Sequence, residues 1–556
     1  KRSNGKRLVS YTHDRAGQIT EIRDPAGVCT RYEYDILGRR SRIFNDDGLE
    51  VRYGYDALNR ICDIRYGNGV KTAYTYDGDG NVRTLETRAG ENVLLSFAYR
   101  YDGNGNRTAK TGTQAALGGI TSEITTGNNA LDLSYNYDVR GQLLEERRNG
   151  ASVWYAYDKA GNRIRKTDGQ GEIRYLYNEK NQLVEEESPA DRKQFSYDRQ
   201  GGIIEEKNAA GIRLFSYNSR HQQTRVETET GSVQENRYDA EGLRFELLEN
   251  GRRTSFVYHD GELLQEEGRE EQGTSYHLGA GMEAFRRGQE LSYYHRDEQL
   301  STVFVTDGQG EIRNSYQYDA FGIPLETTEQ LNNRIRYTGQ QYDDVTGQYY
   351  LRARYYNPVA GRFMQEDVYQ GDGLNLYAYC GNNPVVYDDP SGYASTSTGK
   401  ACPPKGKISE SVDGTSYEKS SLIELKNTDN FMDSTIEHIF EGNVRRGKAG
   451  GYHYECIKDT AGNIVNGTEV LINDLGVYKA QVEVNGIPKS GNGGYSTFFP
   501  KEMSPQDVID SINEAYNNKV FVVGSKNSYI GISNNGLEIE MYINNNGKII
   551  SAFPKE

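Results

Sequence analysis

Three segments near the start of the chain share one pattern and decide the fold: YEYDILGRR at residues 32–40, YGYDALNRI at 53–61 and YTYDGDGNV at 74–82. Each has two aromatic residues separated by one position, then an aspartate, then a glycine or asparagine three residues later. Side chains alternate along a strand, so both aromatic residues face one side. The aspartate bonds the local backbone and glycine tolerates a positive φ, which is the chemistry of a turn. Each copy therefore predicts a strand, a turn and a second strand.

The pattern recurs as an internal repeat. Most of its turn residues lie 20 or 21 positions apart, and longer steps before two of them indicate inserted loops. A lone hairpin is only marginally stable, whereas stacked hairpins bury a continuous row of aromatic side chains. We therefore expect a mostly β fold, a long antiparallel sheet that winds on itself. The turn residues are Asp14, Asp35, Asp56, Asp77, Asp102, Asp138, Asp158, Asn178, Asp198, Asn218 and Asp239.

The composition agrees with a repetitive β protein. A chain of 556 residues is too long for one core, and its 62 Gly, 44 Tyr and 12 Pro suit many short strands and turns. The abundance of aromatic residues argues against disorder. The net charge of −15 excludes a globally basic nucleic-acid coat. Five scattered Cys without a CxxC exclude a zinc ribbon and a disulfide framework. No stretch is apolar enough for a membrane span, and the chain is expected to begin inside a repeat, with further domains before it.

These motifs resemble the RHS/YD-repeat family over roughly residues 1–393. The resemblance implies a large hollow β-cocoon, built from antiparallel hairpins, that encloses a C-terminal cargo. An adhesin made of a β-solenoid without cargo is the alternative.

Residues 337–393, which begin YTGQQYDDVTGQYY and end VVYDDPSGY, look like the RHS-associated core. In the family this core is an autoprotease of aspartyl type that cuts the chain at a DPxG element and frees the cargo. The element DPSG stands at 389–392, so cleavage is expected at or just after Gly392-Tyr393.

By the same resemblance, Asp367 and Asp389 form the catalytic pair and Arg362 lies beside them. Two carboxylates that share a site push one pKa up, which provides an acid and a base. The chain departs from the pattern because Val368 rather than proline follows Asp367. The alternative is that both aspartates only cap turns.

The composition changes after the core. Only 9 of the 44 Tyr lie in residues 391–556, and Arg445 and Arg446 are the only Arg there. Residues 394–421 are rich in Ser, Gly and Lys, which is typical of a linker. We predict four parts: a repeat shell over 1–336, the core over 337–393, a linker over 394–421 and a small α+β domain over 422–556. That last domain is acidic, so any action on RNA must come from a compact site.

Periodicity within the last domain predicts two helices, over 430–442 and 504–518. The second has Ser504 at its N-cap and Pro505 in its first turn. Strands are predicted over 475–484, 520–523, 528–533, 537–543 and 548–553, with Asn-Gly turns at 535–536 and 546–547.

Two histidines, His438 and His453, are the only ones after residue 391. The first falls late in a predicted helix. The second follows Gly450-Gly451, where bare backbone lets a phosphate approach. Two imidazoles can cleave RNA without a metal ion, since one takes the 2′-hydroxyl proton and the other protonates the 5′-oxygen.

A basic loop lies between the histidines and contains Arg445, Arg446 and Lys448. We predict that its two arginines contact the substrate. A zinc site is the weaker alternative, because only two His and Cys456 are available and their spacing matches no familiar finger. An HNH-type metal nuclease would require a third His or Asn further on with helical spacing, and no third histidine follows residue 391.

The residues resemble the EndoU endoribonuclease family over about 422–556, through the pattern H-x-x-x-G…G-G-x-H. The resemblance implies that His453 is the general base and His438 the general acid. It also implies a lysine on a downstream strand that stabilises the transition state, and Lys479 in GVYKAQVEV is the best match. Gly450 and Gly451 would lie against the substrate.

The end of the chain, NNNGKIISAFPKE, resembles the final hairpin of that family. The resemblance implies that Ser551 contacts the RNA base and that Phe553 stacks on it. The coronavirus members have tyrosine at the aromatic position, and Glu483 stands where a serine that reads uridine is expected, so the base preference stays open.

The sequence thus predicts the C-terminal part of an RHS polymorphic toxin. Its shell would release, by self-cleavage, an endoribonuclease that needs no metal or cofactor and leaves 2′,3′-cyclic phosphates. The implied partners are RNA, including tRNA, an immunity protein and a delivery component reached through the missing N-terminus. The implied setting is secretion into the cytoplasm of a competing bacterium. The alternatives are a carbohydrate-binding adhesin with a non-catalytic tail and a metal-dependent nuclease.

Overall fold

The computed structural model describes most of the chain in two compact units, Lys1–Ile408 and Ser409–Glu556. The described residues are 2–3, 6–7, 9–115, 130–268, 272–368, 375–393, 395–397, 419, 422, 425–445, 448–457, 460–465, 468–473, 476–489, 491–501, 503–522, 525–533, 536–544 and 547–555. The predicted linker over 394–421 lies almost wholly outside these residues, so the four-part division stays a prediction. In the described part of the chain, each helix is too short or too polar to cross a membrane.

The first unit is one antiparallel meander. Within the described residues, thirty strands follow each other from Ser10 to Glu329, and each pairs with the next along the chain. A separate pair, Arg2–Ser3 and Lys6–Arg7, precedes them. The thirty strands are Ser10–His13, Ile19–Arg23, Cys29–Tyr34, Arg40–Phe44, Glu50–Tyr55, Ile61–Tyr66, Val70–Tyr76, Val82–Ala89, Asn92–Tyr101, Arg107–Gln114, Ala130–Tyr137, Leu143–Arg148, Ala151–Tyr157, Arg163–Asp168, Gly171–Tyr177, Leu183–Glu187, Arg192–Tyr197, Ile203–Asn208, Gly211–Tyr217, Gln223–Glu227, Val233–Tyr238, Arg244–Glu249, Arg252–His259, Glu262–Glu267, Thr274–Leu278, Met282–Arg287, Glu290–Arg296, Thr302–Thr306, Ile312–Tyr318 and Pro324–Glu329.

The repeat forms the predicted strand, turn and strand. The Asp35 carboxylate accepts hydrogen bonds from the backbone N–H groups of Leu37 and Arg39, at 2.9 and 3.0 Å. Gly38 completes the turn with φ 76°. The second tyrosine of a repeat also reaches back to its neighbour, because the Tyr34 hydroxyl donates to the Ile19 carbonyl at 2.7 Å. The motif therefore closes its own hairpin and ties that hairpin to the one before it.

The sheet winds back on itself, as the repeats predict. Three histidines far along the chain contact residues of the first repeats. His259 Nδ1 lies 3.2 Å from the Tyr11 hydroxyl, and His277 Nδ1 lies 2.8 Å from the Thr30 hydroxyl. The ring of His295 packs edge-on against Tyr66, with centroids 4.7 Å apart. The mostly β fold is thus confirmed.

The segment after the meander adds small sheets to the first unit. Its strands Gln341–Asp343, Gln348–Leu351, Arg354–Asn357 and Arg362–Phe363 form a four-stranded antiparallel sheet, and Tyr387–Asp388 pairs with Thr396–Ser397. Single 3-10 turns lie at Tyr337–Gly339 and Cys380–Asn382. Buried tyrosines fill this region, and a buried ion pair between Arg334 and Asp343 (2.8 Å) joins it to its flanking segment.

The second unit is α+β, as predicted. Helix α1 covers Asp433–Phe440 and helix α2 covers Pro505–Asn517, with a capping box at Ser504. Its described residues form three sheets: Asn443–Arg445 with Lys448–Gly450; Gly462–Ile464, Val470–Leu471, Tyr478–Val484, Ile487–Pro488 and Tyr495–Phe498; and Val520–Phe521, Ser528–Ile532, Glu538–Ile543 and Ile549–Pro554. Single 3-10 turns occupy Thr428–Asn430 and Gly491–Gly494. The first residue of each predicted Asn-Gly turn, 535 and 546, lies outside the described residues.

Candidate functional site

The two histidines of the C-terminal unit meet at the end of helix α1. His438 lies in the last turn of that helix, and Gly442 follows its end with φ 72°. The N–H groups of Tyr452 and His453 donate to the last carbonyls of the helix, at 2.8 and 2.7 Å. These bonds bring the imidazole rings of His438 and His453 to a centroid separation of 5.9 Å. The predicted pair therefore shares one site.

One of the two glycines between the histidines, Gly451, is required by close packing. Gly451 has φ 76°, and a Cβ there would lie 2.1 Å from the carbonyl oxygen of His438 and 2.8 Å from its Nδ1. A Cβ on Gly450 would lie 3.7 Å from His438 Cε1, which is an ordinary contact. The glycine backbone thus lies directly against His438, while its predicted contact with substrate stays a prediction.

His453 is held as a neutral imidazole. Its side chain is buried, and its Nδ1 lies 2.8 Å from the Thr497 carbonyl oxygen, which can only accept, so Nδ1 carries the proton. Burial, then the nearby charges of Lys489 and His438, lower the pKa of His453 well below its ordinary value. The ring of Phe553 stacks on it at 5.1 Å. Nε2 is left as a lone-pair acceptor.

Lys489 lies beside the histidine pair, where Lys479 was predicted, and the catalytic role of Lys479 stays a prediction. Lys479 lies on the strand Tyr478–Val484, where side chains alternate between two faces, so it points away from the face that carries Ala480. Ala480 pairs with Ser496, whose hydroxyl accepts a hydrogen bond from Lys489 Nζ at 2.7 Å.

The sequence did contain a signal for Lys489. The chain turns back at Asn485-Gly486, and three residues later the Lys489 N–H donates to the carbonyl of Val482 at 2.9 Å. A lysine shortly after this turn returns to the sheet next to the site. Burial lowers the pKa of Lys489 to about 8.

A cavity of about 280 Å³ opens on the other side of His438. It is lined by Ser434, His438, Asn443, Asn527, Tyr542, Ile550 and Ser551. Ser551 pairs across the sheet with Tyr542, and the Tyr542 and Phe553 rings are 6.1 Å apart. Asn443 Oδ1 lies 3.3 Å from His438 Nδ1. The predicted residues Ser551 and Phe553 therefore share one face of the last strand, together with Tyr542, which the sequence reasoning missed.

The predicted basic loop lies only partly within the described residues. Arg445 ends the strand Asn443–Arg445 and pairs with Lys448, but its side chain is not described. Arg446 lies outside the described residues. Their contacts with substrate stay predictions.

A second cluster, in the first unit, contains the predicted carboxylate pair. Arg354 Nη2 lies 2.6 Å from Asp367 and 3.5 Å from Asp389, and all three side chains are buried. Arg362 was predicted for this place, where the structure brings Arg354, and the role of Arg362 stays a prediction. Its guanidinium instead donates to the Asn181 carbonyl at 2.7 Å and lies over the ring of Tyr377.

The DPSG element forms a tight turn beside these carboxylates. Asp389 Oδ1 accepts from the backbone N–H of Ser391 at 3.2 Å and of Gly392 at 2.8 Å, so it caps the turn as the alternative interpretation predicts. Arg354 Nε also donates to the Gly392 carbonyl oxygen. The carbonyl of the Gly392-Tyr393 peptide thus contacts the same guanidinium that joins the two aspartates.

Comparison with known proteins agrees with both parts of the chain. The family model for the teneurin YD-shell matches residues 2–101 and 114–385, and that for the bacterial EndoU nuclease matches 433–556. A Bacillus cereus protein named Toxin is 54% identical over 136 residues, covering 24% of this chain and 25% of that protein. The tRNA3(Ser)-specific nuclease WapA of Bacillus spizizenii is 39% identical over 177 residues, covering 28% of this chain and 7% of its own. The chain therefore spans a quarter or less of the length of these relatives.

Solved structures share the fold of the larger unit. The crystal structure of TcdB2-TccC3-Cdc42 superposes with a TM-score of 0.58 at 20% identity, covering 69% of this chain and 21% of that one. A structure of the Photorhabdus luminescens Tc holotoxin pore superposes with a TM-score of 0.57 at 19% identity, covering 73% of this chain and 21% of that one. Because the YD-shell model matches more than half of the residues, the chain belongs to the teneurin YD-shell family and carries a bacterial EndoU nuclease domain at its C-terminal end.

Proposed function

We propose that the chain is the C-terminal part of a polymorphic toxin whose nuclease domain cleaves RNA by internal transphosphorylation. The reaction needs no metal ion and leaves a 2′,3′-cyclic phosphate and a 5′-hydroxyl. The observation that carries this proposal is the pair of imidazoles with centroids 5.9 Å apart, one of them held neutral. A proton acceptor and a proton donor at this spacing suit attack by a 2′-hydroxyl on its own phosphate.

His453 is the general base. With its proton fixed on Nδ1 by the Thr497 carbonyl, Nε2 takes the proton of the 2′-hydroxyl. Its lowered pKa keeps it ready to accept a proton across the physiological range.

His438 is the general acid. Its Nδ1 lies 3.3 Å from Asn443 Oδ1, and we assign to its Nε2 the protonation of the departing 5′-oxygen. The nucleotide attached to that oxygen then lies on the His438 side of the site. The 280 Å³ cavity lined by Tyr542 and Ser551 is on that side and receives it.

Lys489 stabilises the negative charge that develops on the phosphate. Its ammonium lies in a partly desolvated place, where a charge acts more strongly than in water. The backbone at Gly450 admits the phosphate, because this residue has no side chain, whereas His438 fills the Cβ position of Gly451. Phe553 covers one face of His453 and contributes an aromatic surface to the bound RNA.

The substrate class follows from the same features and from the relatives. The curated names of the Bacillus relatives include tRNA nucleases, so tRNA is the first RNA to test. Among the described residues, no three His, Cys, Asp or Glu side chains gather in a group that could hold a metal ion. Cleavage of RNA in EDTA would exclude the metal-dependent alternative. RNA cleavage would likewise exclude an adhesin with an inert tail.

The test is cleavage of an RNA oligonucleotide and of its analogue with a single 2′-deoxy sugar at the cleaved position. We expect the first to be cut in EDTA to a cyclic phosphate and the second to resist, because it lacks the internal nucleophile. Cleavage of the deoxy analogue, or loss of all activity in EDTA, would contradict the mechanism.

A second activity, self-cleavage at Gly392-Tyr393, is favoured by one specific observation. Arg354 binds the carbonyl oxygen of the scissile peptide and both candidate carboxylates. One carboxylate activates a water molecule, the other protonates the leaving amine, and the guanidinium polarises the carbonyl. Asp389→Asn and Arg354→Ala should abolish a C-terminal fragment of about 160 residues on a denaturing gel, as expected for a pair of catalytic carboxylates. Arg362→Ala is the matched control, and its fragment should persist.

The two activities together define a role. The YD shell carries the nuclease, self-cleavage frees it, and the nuclease acts in the cytoplasm of a competing bacterium. Delivery depends on components that contact the rest of the toxin. A neighbouring gene supplies an immunity protein that protects the producing cell.

A further inference from the structure

One hydroxyl joins the catalytic lysine to the segment that holds the histidines. Ser496 Oγ accepts a hydrogen bond from Lys489 Nζ at 2.7 Å and donates one to the carbonyl of Gly451 at 2.9 Å. Its side chain is only 2% exposed, so water does not compete for either bond. Ser496 therefore has both of its strong hydrogen-bonding directions committed to the site.

The same short strand also holds the base. In the strand Tyr495–Phe498, the carbonyl of Thr497 accepts a hydrogen bond from His453 Nδ1. Just after the strand, the N–H of Phe499 donates to the carbonyl of His453 at 2.9 Å. Ser496 immediately precedes Thr497, and the side chains of these two residues point to opposite faces of the sheet. Base and lysine are thus held by neighbouring residues of one element.

The lysine itself has a long side chain with several rotatable bonds. Its backbone is fixed by a bond to Val482 and by a bridge to Ala449, but its Nζ needs a partner to stay near the histidines. Within the part of the chain that the structure describes, the charges of Lys489 and His438 both act on His453, and a protonated imidazole beside the lysine would repel its ammonium. An oxygen acceptor that favours the charged form is therefore needed at this place.

We propose that Ser496 is a positioning residue of the ribonuclease: its hydroxyl holds Lys489 charged and at a fixed distance from the histidine pair through the Gly451 carbonyl. This rests on the proposed function. Ser496 does not touch the substrate, and it acts only through Lys489 and the glycine segment.

The test is a double-mutant cycle in the full chain, with kcat and KM measured separately on an RNA oligonucleotide. Ser496→Ala should lower kcat roughly tenfold, as expected for one lost hydrogen bond to a charged group, with little change in KM. The alkaline limb of the pH profile should move to lower pH, since the ammonium loses an acceptor. Ser496→Thr, which keeps the hydroxyl, should recover most of the rate.

The cycle separates positioning from general destabilisation. If Ser496 acts through Lys489, then adding Ser496→Ala to Lys489→Ala should change kcat by less than about twofold. Ser511→Ala removes another buried serine hydroxyl, on helix α2, and should leave kcat unchanged. Multiplicative losses in the double variant, or no recovery with threonine, would overturn the proposal.

A measurement without substrate keeps the two proposals distinguishable. The Lys489 side chain can be followed by NMR in chain labelled at lysine and assigned with Lys489→Arg. Its pKa should fall in Ser496→Ala, and an unchanged pKa would refute the coupling. If the wild type cut no RNA, the proposed function would fail, whereas this titration would still decide whether Ser496 holds the lysine.

Discussion

Gly451→Ala should disable the nuclease through His438. The added Cβ would lie 2.1 Å from the His438 carbonyl oxygen, whereas a carbon and an oxygen that are not bonded approach to about 3.3 Å. The end of helix α1 or the glycine segment must therefore shift by about 1 Å. A displacement of that size at a reacting group costs roughly 100-fold in rate.

The cost in stability can be separated from the cost in rate. Alanine at a left-handed φ costs about 1–2 kcal/mol, and overpacking adds about 1–3 kcal/mol. Gly486→Ala is the matched control for the cost of the left-handed backbone, because Gly486 has φ 71° and a Cβ there would meet open space. Gly450→Ala tests contact without backbone strain, since its Cβ would lie 3.7 Å from His438 Cε1.

The assay compares kcat for RNA cleavage and the urea midpoint of the three variants. We expect Gly451→Ala to lose about 100-fold in kcat, while Gly486→Ala loses stability by the strain alone and keeps its rate. Gly450→Ala should fall between them. If Gly451→Ala kept its rate within about threefold, or if Gly486→Ala lost as much, close packing against His438 would not be the reason for the glycine.

Three further predictions concern pH, substrate and inhibition. Burial and a neighbouring arginine lower the pKa of His277 and of His295 to about 3 from 6.5. The unfolded chain therefore binds protons at these histidines first, and the first unit should lose stability as the pH falls below about 6.5. The loss is up to about 1.4 kcal/mol per pH unit for each histidine. Urea melts at pH 7.5 and 5 should show this, and His295→Phe should flatten the slope. Tyr542→Ala should raise KM for an oligonucleotide extended on the 3′ side of the cut, because one stacked base is worth about 1–3 kcal/mol, but not for one that ends there. Arg446→Glu should weaken binding of the immunity protein and make it less sensitive to salt, and an unchanged Kd would argue against a charge-led interface.

The hairpin repeat was predictable because its causes are local. Alternating aromatic side chains and an aspartate that bonds the next turn act within about ten residues, so Asp35 and Gly38 form the turn that their sequence predicts. Helix α2 was equally predictable, since its N-cap residue Ser504 immediately precedes the apolar positions of the helix in the sequence. The histidine pair could be found because a glycine pair and a helix end mark it.

The charged residues at each site were less predictable, because the register of strands that are distant in sequence determines which residue reaches the site. Lys479 and Lys489 lie on the same hairpin, and only the pleat of the central strand and the turn after it decide which one faces Ser496. Arg354 and Arg362 lie on neighbouring strands of one small sheet, and Arg354 is the one whose guanidinium lies 2.6 Å from Asp367. Sequence reasoning can name the type of residue that a site requires, but the register of distant strands determines which lysine or arginine of the sequence lies there.

The surroundings of the two histidines argue for one division of roles. An acid must carry its proton before the reaction, and a protonated His453 would be a buried cation beside Lys489 with one N–H already committed to Thr497. His438 is less buried and lies in the last turn of a helix, where the backbone dipole favours a positive charge. The strand Tyr495–Phe498 holds the base directly and the lysine through Ser496, whereas helix α1 holds the acid. In the proposed mechanism, one strand therefore holds both the base and the lysine, and helix α1 holds the acid next to the cavity.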